Sequence, residues 1–269
     1  MTVQLDGGTV GKALLVLDRV AEFGRPVRFS ELERDIDFPK ATLYRLVQTL
    51  TQQRFLSYDP DRGVYALGVR LVRLAHAAWQ QSSLAPVARP FLDSLASKVE
   101  ETVHLAQLDH GMVLYVDKRS AKDPVEMFAQ AGRVGPAYCT GVGKAMLAYL
   151  GEDARAEVLS QQSYHRFTPT TLCSDESLIE ELEAIRNRGF AFDREEHEPG
   201  IICVALPILS SNGRVEGALS VTSTTDRKSL QDLEDLVPCI RGAVDGISEA
   251  FATWRFPDEP KSIRAIGKG

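Results

Sequence analysis

Apolar residues recur along the first part of the chain at the spacing of short helices. Ala13, Val16, Leu17, Val20 and Phe23 fall on one helical face, and Gly24 followed by Pro26 closes that segment. A second helix begins at Ser30, where Ser30-x-x-Glu33 supplies a capping box that satisfies two orphan amides reciprocally. Asp37 takes the next turn, a place where glycine reaches positive φ most easily and aspartate is a tolerable substitute. Phe38-Pro39 opens a third helix, with Pro39 suited to its first turn. Its buried stripe is Leu43, Leu46, Val47 and Leu50, the i, i+3, i+4, i+7 pattern. Residues 55–58 and 64–67 then read as two short strands around Asp59-Pro60-Asp61-Arg62-Gly63, a β-hairpin. Three helices and a hairpin, in that order, predict a winged helix-turn-helix.

Beyond the hairpin, Leu67, Leu71, Leu74, Ala75 and Ala78 return to helical spacing and predict a linker helix. The remainder mixes both periods. It predicts a helix over 84–99, strands over 103–108 and 113–117 around Asp109-His110-Gly111, and a third strand near 125–129. A helix over 141–150 follows, with others at 153–159 and 176–188. Strands at 202–209 and 215–222 are joined through Ser211-Asn212-Gly213, in which Asn-Gly is a strong hairpin signal, and a single amphipathic helix over 230–254 closes the domain. Strands joined by hairpins among helices predict an α+β body with a largely antiparallel sheet. The expected organisation is a disordered stretch at 1–9, a winged helix-turn-helix domain at 10–67, a linker helix at 68–82, an α+β domain at 83–255 and a flexible tail at 256–269.

The chain has 269 residues, long for one core and comfortable for two. Its net charge of −6 argues weakly against nucleic acid until it is divided. Residues 1–76 carry 11 Lys/Arg against 9 Asp/Glu, hence +2, and the rest carries 20 against 28, hence −8. Within 39–54 stand Lys40, Arg45 and Arg54 with no acid at all. A local basic face decides DNA binding, so this division fits a DNA-binding head on an acidic body. Four well-separated cysteines without a C-x-x-C pair predict reduced thiols and no metal site. No apolar run is long enough for a bilayer and no signal peptide is evident, so a soluble cytoplasmic protein without membrane contact is expected.

The third helix carries Lys40, Thr42, Tyr44, Arg45 and Gln48 on its polar side. Lys40, Thr42 and Thr49 suit phosphates, Arg45 could fork onto guanine and Gln48 onto adenine, and Arg62 at the wing tip could reach phosphate or the minor groove. A three-helix domain with merely solvated charges would share the pattern; the hairpin and the unopposed positive charge favour DNA.

In the body, Thr140-Gly141-Val142-Gly143 precedes a helix whose amides could receive an anion, and the glycines would let a ligand approach the main chain. Ser220 and Thr222 share a strand face by the period of two. Blander accounts exist for each residue: Cys203 as a small buried hydrophobe, Asp193 with Glu195 and Glu196 as a solvated loop, His104 as a core histidine, His197 as a surface one. The Gly143-Lys144-Ala145 stretch is not a P-loop, because Tyr138 replaces its first glycine and no Ser or Thr follows the lysine. A Cys203 nucleophile with His104 or His197 as base lacks any elbow to present it or charge to activate it, so no enzyme and no cofactor are expected.

These residues together resemble the IclR family of transcriptional regulators from about residue 11 to 254. The head matches through Lys12-Ala13-Leu14, Pro39-Lys40-Ala41-Thr42-Leu43-Tyr44-Arg45-Leu46 and Tyr65-x-Leu67-Gly68. The body matches through Glu101-Thr102-Val103-His104-Leu105, Pro136-x4-Gly141-x-Gly143-Lys144-Ala145, and Asp193-x-Glu195-Glu196-x3-Gly200-Ile201-x-Cys203-Val204-Ala205-x-Pro207. Asp37 stands where the family usually has Gly, Ala41 where Ser is common, and Gly141 where Ala is common.

The resemblance implies a GAF-like effector-binding body whose ligand is a small organic acid or aromatic. Its pocket would comprise Thr140, Gly141, Val142, Gly143, Asp193, Cys203, Ser220 and Thr222, with Met127 as an apolar wall. It also implies homodimers or dimers of dimers on a pseudo-palindromic double-stranded operator, often as a repressor. A constitutive architectural protein with a merely oligomerising body is the remaining alternative.

Overall fold

The computed structural model describes residues 8–81 and 84–253, with side chains throughout except at 79–81. The chain divides into two compact units, Met1–Gln81 and Ser82–Gly269.

The first unit is built from α1 (Gly8–Glu22), β1 (Val27–Arg28), α2 (Phe29–Asp35), α3 (Lys40–Gln52), β2 (Leu56–Asp59), β3 (Val64–Leu67) and α4 (Val69–Gln81). Gly8 and Thr9 are already helical, so only residues 1–7 of the expected disordered stretch lie outside the described residues. Val16, Leu17 and Val20 of α1 and the stripe Leu43, Leu46, Val47 and Leu50 of α3 close one core with Leu32 and Leu56. The hairpin β2–β3 also pairs with β1, giving the sheet order β1-β3-β2.

Pairing of Val27 and Arg28 with β3 starts α2 earlier than Ser30, so the expected Ser30/Glu33 capping box does not form. Glu31 does that work instead: its carboxylate accepts from the Arg28 N–H at 2.8 Å and pairs with Arg25 at 2.7 Å. Asp37 is not at positive φ, and Ile36 before it is extended. The turn therefore needs no glycine, and aspartate costs no backbone strain there. Pro39 caps α3 rather than lying in its first turn.

The second unit comprises α5 (Leu84–Val99), β4 (Thr102–Asp109), β5 (Met112–Arg119), β6 (Val134–Pro136), α6 (Gly141–Leu147), α7 (Glu152–Ser160), α8 (Asp175–Arg188), β7 (Ala191–Arg194), β8 (Ile201–Leu209), β9 (Val215–Thr224), α9 (Leu230–Glu234) and α10 (Val237–Thr253). The six strands form one antiparallel sheet in the order β6-β5-β4-β9-β8-β7. Helices α5 and α10 pack together against β4 and β8, while α6 lies across β7, β8 and β9 and is backed by α8.

Four sequence expectations change here. The strand near 125–129 is a loop, and β6 forms further along, at Val134–Pro136. Strand β7 appears at a charged segment that carries no strand signal. Helix α6 ends at Leu147, after which i→i+3 bonds from Tyr149 and Leu150 tighten the exit. The closing helix is two helices, because Ser229 and Asp232 cap α9 and Pro238 sits in the first turn of α10, where its missing N–H is no loss. The expected tail at 256–269 lies outside the described residues. Among those residues no helix is long and apolar enough to cross a membrane, and no cluster of His, Cys, Asp or Glu could hold a metal ion.

Candidate functional site

In the first unit, α3 buries its stripe and turns Lys40, Tyr44, Arg45 and Thr49 outward. Arg45 is exposed, and its side chain makes no ion pair or hydrogen bond among the described residues, which leaves its guanidinium fork free. Lys40 is less free, since Glu33 of α2 pairs with it at 3.1 Å. Tyr44 is steadied by an edge-to-face contact with Phe29 at 5.8 Å. Thr42 is half-buried, and the Thr49 hydroxyl is spent on the Arg45 carbonyl at 2.9 Å. Gln48 departs from the expected open reading position: it is half-buried, and its amide meets the Tyr65 hydroxyl of β3 at 3.5 Å. Arg62 stands exposed at the wing tip, where Asp59 Oδ1 accepts from the Asp61 and Arg62 N–H groups and Gly63 adopts φ 64°.

In the second unit the sheet register creates a site. Directly opposed residues share a face, and one row across the strands reads Asp193, Cys203, Thr222, Thr102. The adjacent row brings Ser220 beside His104. A bulge in β5 between the partners of Leu105 and Ala106 advances the alternation by one residue. Tyr115 is thereby turned onto the same face, 5.5 Å from the His104 ring. Helix α6 and the 125–129 loop cover these rows and leave a cavity of about 30 Å³, room for a water or two. Thr140, Gly141, Val142, Met127, Asp193, Cys203, Ser220 and Thr222 all line it.

Gly143 does not. A Cβ there would lie 2.5 Å from Ala137 Cα and closer still to its carbonyl oxygen. Gly141 likewise sits against Cys203 Sγ, where a Cβ would overlap it. Gly143 lets the helix approach protein rather than ligand, a correction to the expectation for that residue, whereas Gly141 both lines the cavity and packs against Cys203.

The chemistry of the wall is set by burial. His104 is fully enclosed, and desolvation with nearby Lys118 depresses its pKa to about 3, so the ring is neutral. The Ala129 carbonyl, 3.2 Å from Nε2, can only accept; Nε2 therefore carries the proton and Nδ1 accepts from the Thr222 hydroxyl at 3.2 Å. Ser220 makes no side-chain hydrogen bond among the described residues and presents a free hydroxyl. Burial pushes the Cys203 thiol up, away from a reactive thiolate.

Asp193 is raised from 3.8 to about 7 by desolvation and by the neighbouring Glu196, although its Oδ1 accepts from the Glu196 N–H at 2.8 Å. The folded state therefore holds a proton that the unfolded chain gives up at lower pH. Stability conferred by that proton is complete near pH 4 and is lost as pH rises through about 7. Asp193→Asn should abolish this slope, at most about 1.4 kcal/mol per pH unit, and be the more stable form at pH 8. Parallel urea titrations of both proteins at pH 5 and 8 would refute the reading if their difference were the same at each pH.

Several wall residues carried no distinguishing sequence signal. His197, expected on the surface, is half-buried and stacks on Phe128 at 4.6 Å and Phe167 at 4.7 Å. Glu198 lines the cavity and accepts from the Phe128 N–H at 2.9 Å, pinning the covering loop. Glu196, expected in solvent, is buried and hydrogen-bonds the Nζ of Lys144, itself wholly enclosed in α6. Of Glu195 and Glu196 only the former stays partly open, bonding the Gly200 N–H at 2.7 Å.

Two family models match consecutive parts of the chain. The IclR helix-turn-helix domain matches residues 9–60, and the bacterial transcriptional regulator IclR C-terminal domain matches residues 76–249. The chain belongs to the IclR family. It is similar to the transcriptional regulator XynR of Escherichia coli, 32% identical over 90% of this chain and 96% of that one. It also matches KdgR of the same organism, 30% identical over 87% of this chain and 89% of KdgR.

Among solved structures, the Thermotoga maritima IclR protein superposes with a TM-score of 0.76 at 27% identity, over 91% of this chain and 98% of that one. An IclR homologue from Microbacterium hydrocarbonoxydans, solved with 4-hydroxybenzoate, gives 0.73 at 26% identity over 89% and 98%. As an IclR-family member the chain is a DNA-binding transcriptional regulator whose C-terminal domain is of the effector-binding type.

Proposed function

We propose that this regulator reads its operator with the outer face of α3 and the wing, and that a small organic acid in the second-unit cavity alters that affinity. Lys40, Thr42, Tyr44, Arg45, Gln48 and Arg62 form the reading surface, with Arg45 as its central base contact. Gln48 serves by orienting against Tyr65 as much as by touching a base.

The observation that carries the effector reading is the convergence of residues from β4, β7, β8, β9 and the start of α6 on one cavity. The free Ser220 hydroxyl on the cavity wall is suited to a ligand hydroxyl group. The first-turn amides of α6, uncapped by Thr140, are suited to a carboxylate. The Microbacterium relative's hydroxyacid ligand, 4-hydroxybenzoate, is of the same chemical class. Homodimers would place two heads on half-sites about one helical turn, or a multiple of it, apart. A ligand acts only through unequal affinity for DNA-competent and incompetent forms, typically 1–3 kcal/mol of coupling.

The test begins with an operator selected from random duplexes by the full-length protein. Arg45→Ala should weaken its binding by about 1–3 kcal/mol and relax preference at one base pair per half-site. Unchanged affinity and selectivity in fluorescence anisotropy would move the reading face elsewhere. Hydroxy acids added to the wild-type complex should shift affinity; an operator complex indifferent to all of them, with no thermal shift, defeats the effector reading.

A further inference from the structure

Of the fifteen described residues that line the cavity, ten are buried. The other five, Phe128, Ala129, His197, Glu198 and Ile201, are half-buried and fall in two short segments, 128–129 and 197–201. A residue that touches both the cavity and solvent is part of the partition between them, so the way in runs between these two segments. With room for only a water or two, the cavity can take a larger molecule only when part of its wall yields. The buried wall is mostly paired strand and the start of α6, whereas the partition is loop as far as Ile201.

Two contacts close the partition. The Phe128 and His197 rings stack at 4.6 Å, and the Glu198 carboxylate accepts from the Phe128 N–H at 2.9 Å. From a third loop, Phe167 packs on His197 at 4.7 Å and is itself 42% exposed. That loop is tied to the residues before His197. The Thr168 and Thr170 hydroxyls donate to the Glu195 carbonyl at 2.7 and 2.9 Å, and the Thr171 hydroxyl donates to that of Glu196 at 2.6 Å. The turn carrying His197 is also closed on itself, since the Glu195 carboxylate accepts from the Gly200 N–H at 2.7 Å. Its backbone is thereby fixed, but the His197 side chain is held by ring contacts and makes no hydrogen bond among the described residues. Rotation about its side-chain torsions is therefore the least costly way to open the partition.

We propose that the His197 ring is the gate of the cavity, shut against Phe128 and held from outside by Phe167, and that it swings aside to admit the effector. The proposal rests on the effector reading above and supplies its route of entry. Each ring contact is weak, so the open form is a minor but accessible state, and its population sets how fast the cavity exchanges with solvent.

Two thiols make the gate observable without any effector. Cys203 lies on the cavity wall and is 6% exposed, so a reagent reaches it through the gate. Cys139 is buried in the core and does not line the cavity, so it reports opening of the body as a whole. The full-length protein is treated with methyl methanethiosulfonate, a small neutral thiol reagent, and labelling of each cysteine is followed by peptide mass spectrometry. His197→Ala should accelerate labelling of Cys203 by about tenfold, through loss of both ring contacts, with Cys139 unchanged. His197→Phe keeps the stack and should label at the wild-type rate. Phe167→Ala removes one contact at an exposed position and should give a smaller acceleration, an arm that stands even where His197→Ala does not fold.

A Cys203 rate unchanged in both alanine variants would overturn the gate, as would one that rises in step with Cys139. Labelling of His197→Phe as fast as His197→Ala would overturn it too. These outcomes leave ligand-dependent operator binding standing, whereas an operator complex indifferent to hydroxy acids would defeat the effector reading and leave the labelling result untouched.

Discussion

Lys144→Ala should lower the stability of the C-terminal unit by about 3–5 kcal/mol, the usual cost of stripping one partner from a buried ion pair. Lys144 is wholly enclosed and Glu196 nearly so, and the two are directly hydrogen-bonded. Glu181 Oε1 lies 4.0 Å from the ammonium and is itself held by Arg188 at 2.6 Å and Arg194 at 3.1 Å. Without the lysine, Glu196 would be left in a low-dielectric site with its Oε2 already unpartnered. The pair ties α6, the cavity roof, to the segment after β7 that carries Glu196 and Glu198, adjoining Asp193 of β7 itself. The loss should therefore reach ligand affinity as well as stability. The double variant Lys144→Met/Glu196→Leu should recover most of the stability, since apolar replacement of a buried pair is often neutral. Urea unfolding followed by circular dichroism decides it: a single-variant cost under about 1 kcal/mol would mean the pair is not buried as described.

Gly143→Ala should be nearly as damaging, at or above the upper end of the 1–3 kcal/mol typical of overpacking. The added methyl would meet the Ala137 backbone, which no rotamer change can move. At Gly141 the obstruction is a side chain, Cys203 Sγ, so the outcome there depends on the background. Gly141→Ala should destabilise the wild type yet be tolerated in a Cys203→Ala protein, a coupling expected between groups in contact. Thermal unfolding of the four combinations would reject the packing role of Gly141 if the two substitutions proved additive.

The helices of the first unit and its hairpin could be read directly because each follows one strong local rule. The stripe of α3 is a run of apolar residues at helical spacing, and the wing is an Asp/Pro/Gly turn between apolar strands. Errors there were shifts of a residue or two. The pairing of Val27 and Arg28 with β3, a tertiary event, moved the start of α2 and exchanged Ser30/Glu33 for Arg28/Glu31 as its cap. In the body, β7 escaped detection because Phe192-Asp193-Arg194 alternates no better than a charged loop. It becomes a strand through pairing with β8. Tyr115 escaped because a bulge breaks the two-residue period that would otherwise send it to the opposite face.

Local pattern and composition thus determined the class of each unit, the polar side of α3 and most of the residue types gathered around the cavity. Those features depend on neighbours within a few positions, where periodicity, turn chemistry and helix breaking act. Only the folded sheet decided that Asp193, Cys203, Thr222 and Thr102 stand in one row, that Gly143 serves packing, and that Lys144 and Glu196 are buried together. Such outcomes hang on register between strands distant in the chain and on desolvation, and neither leaves a mark in local spacing.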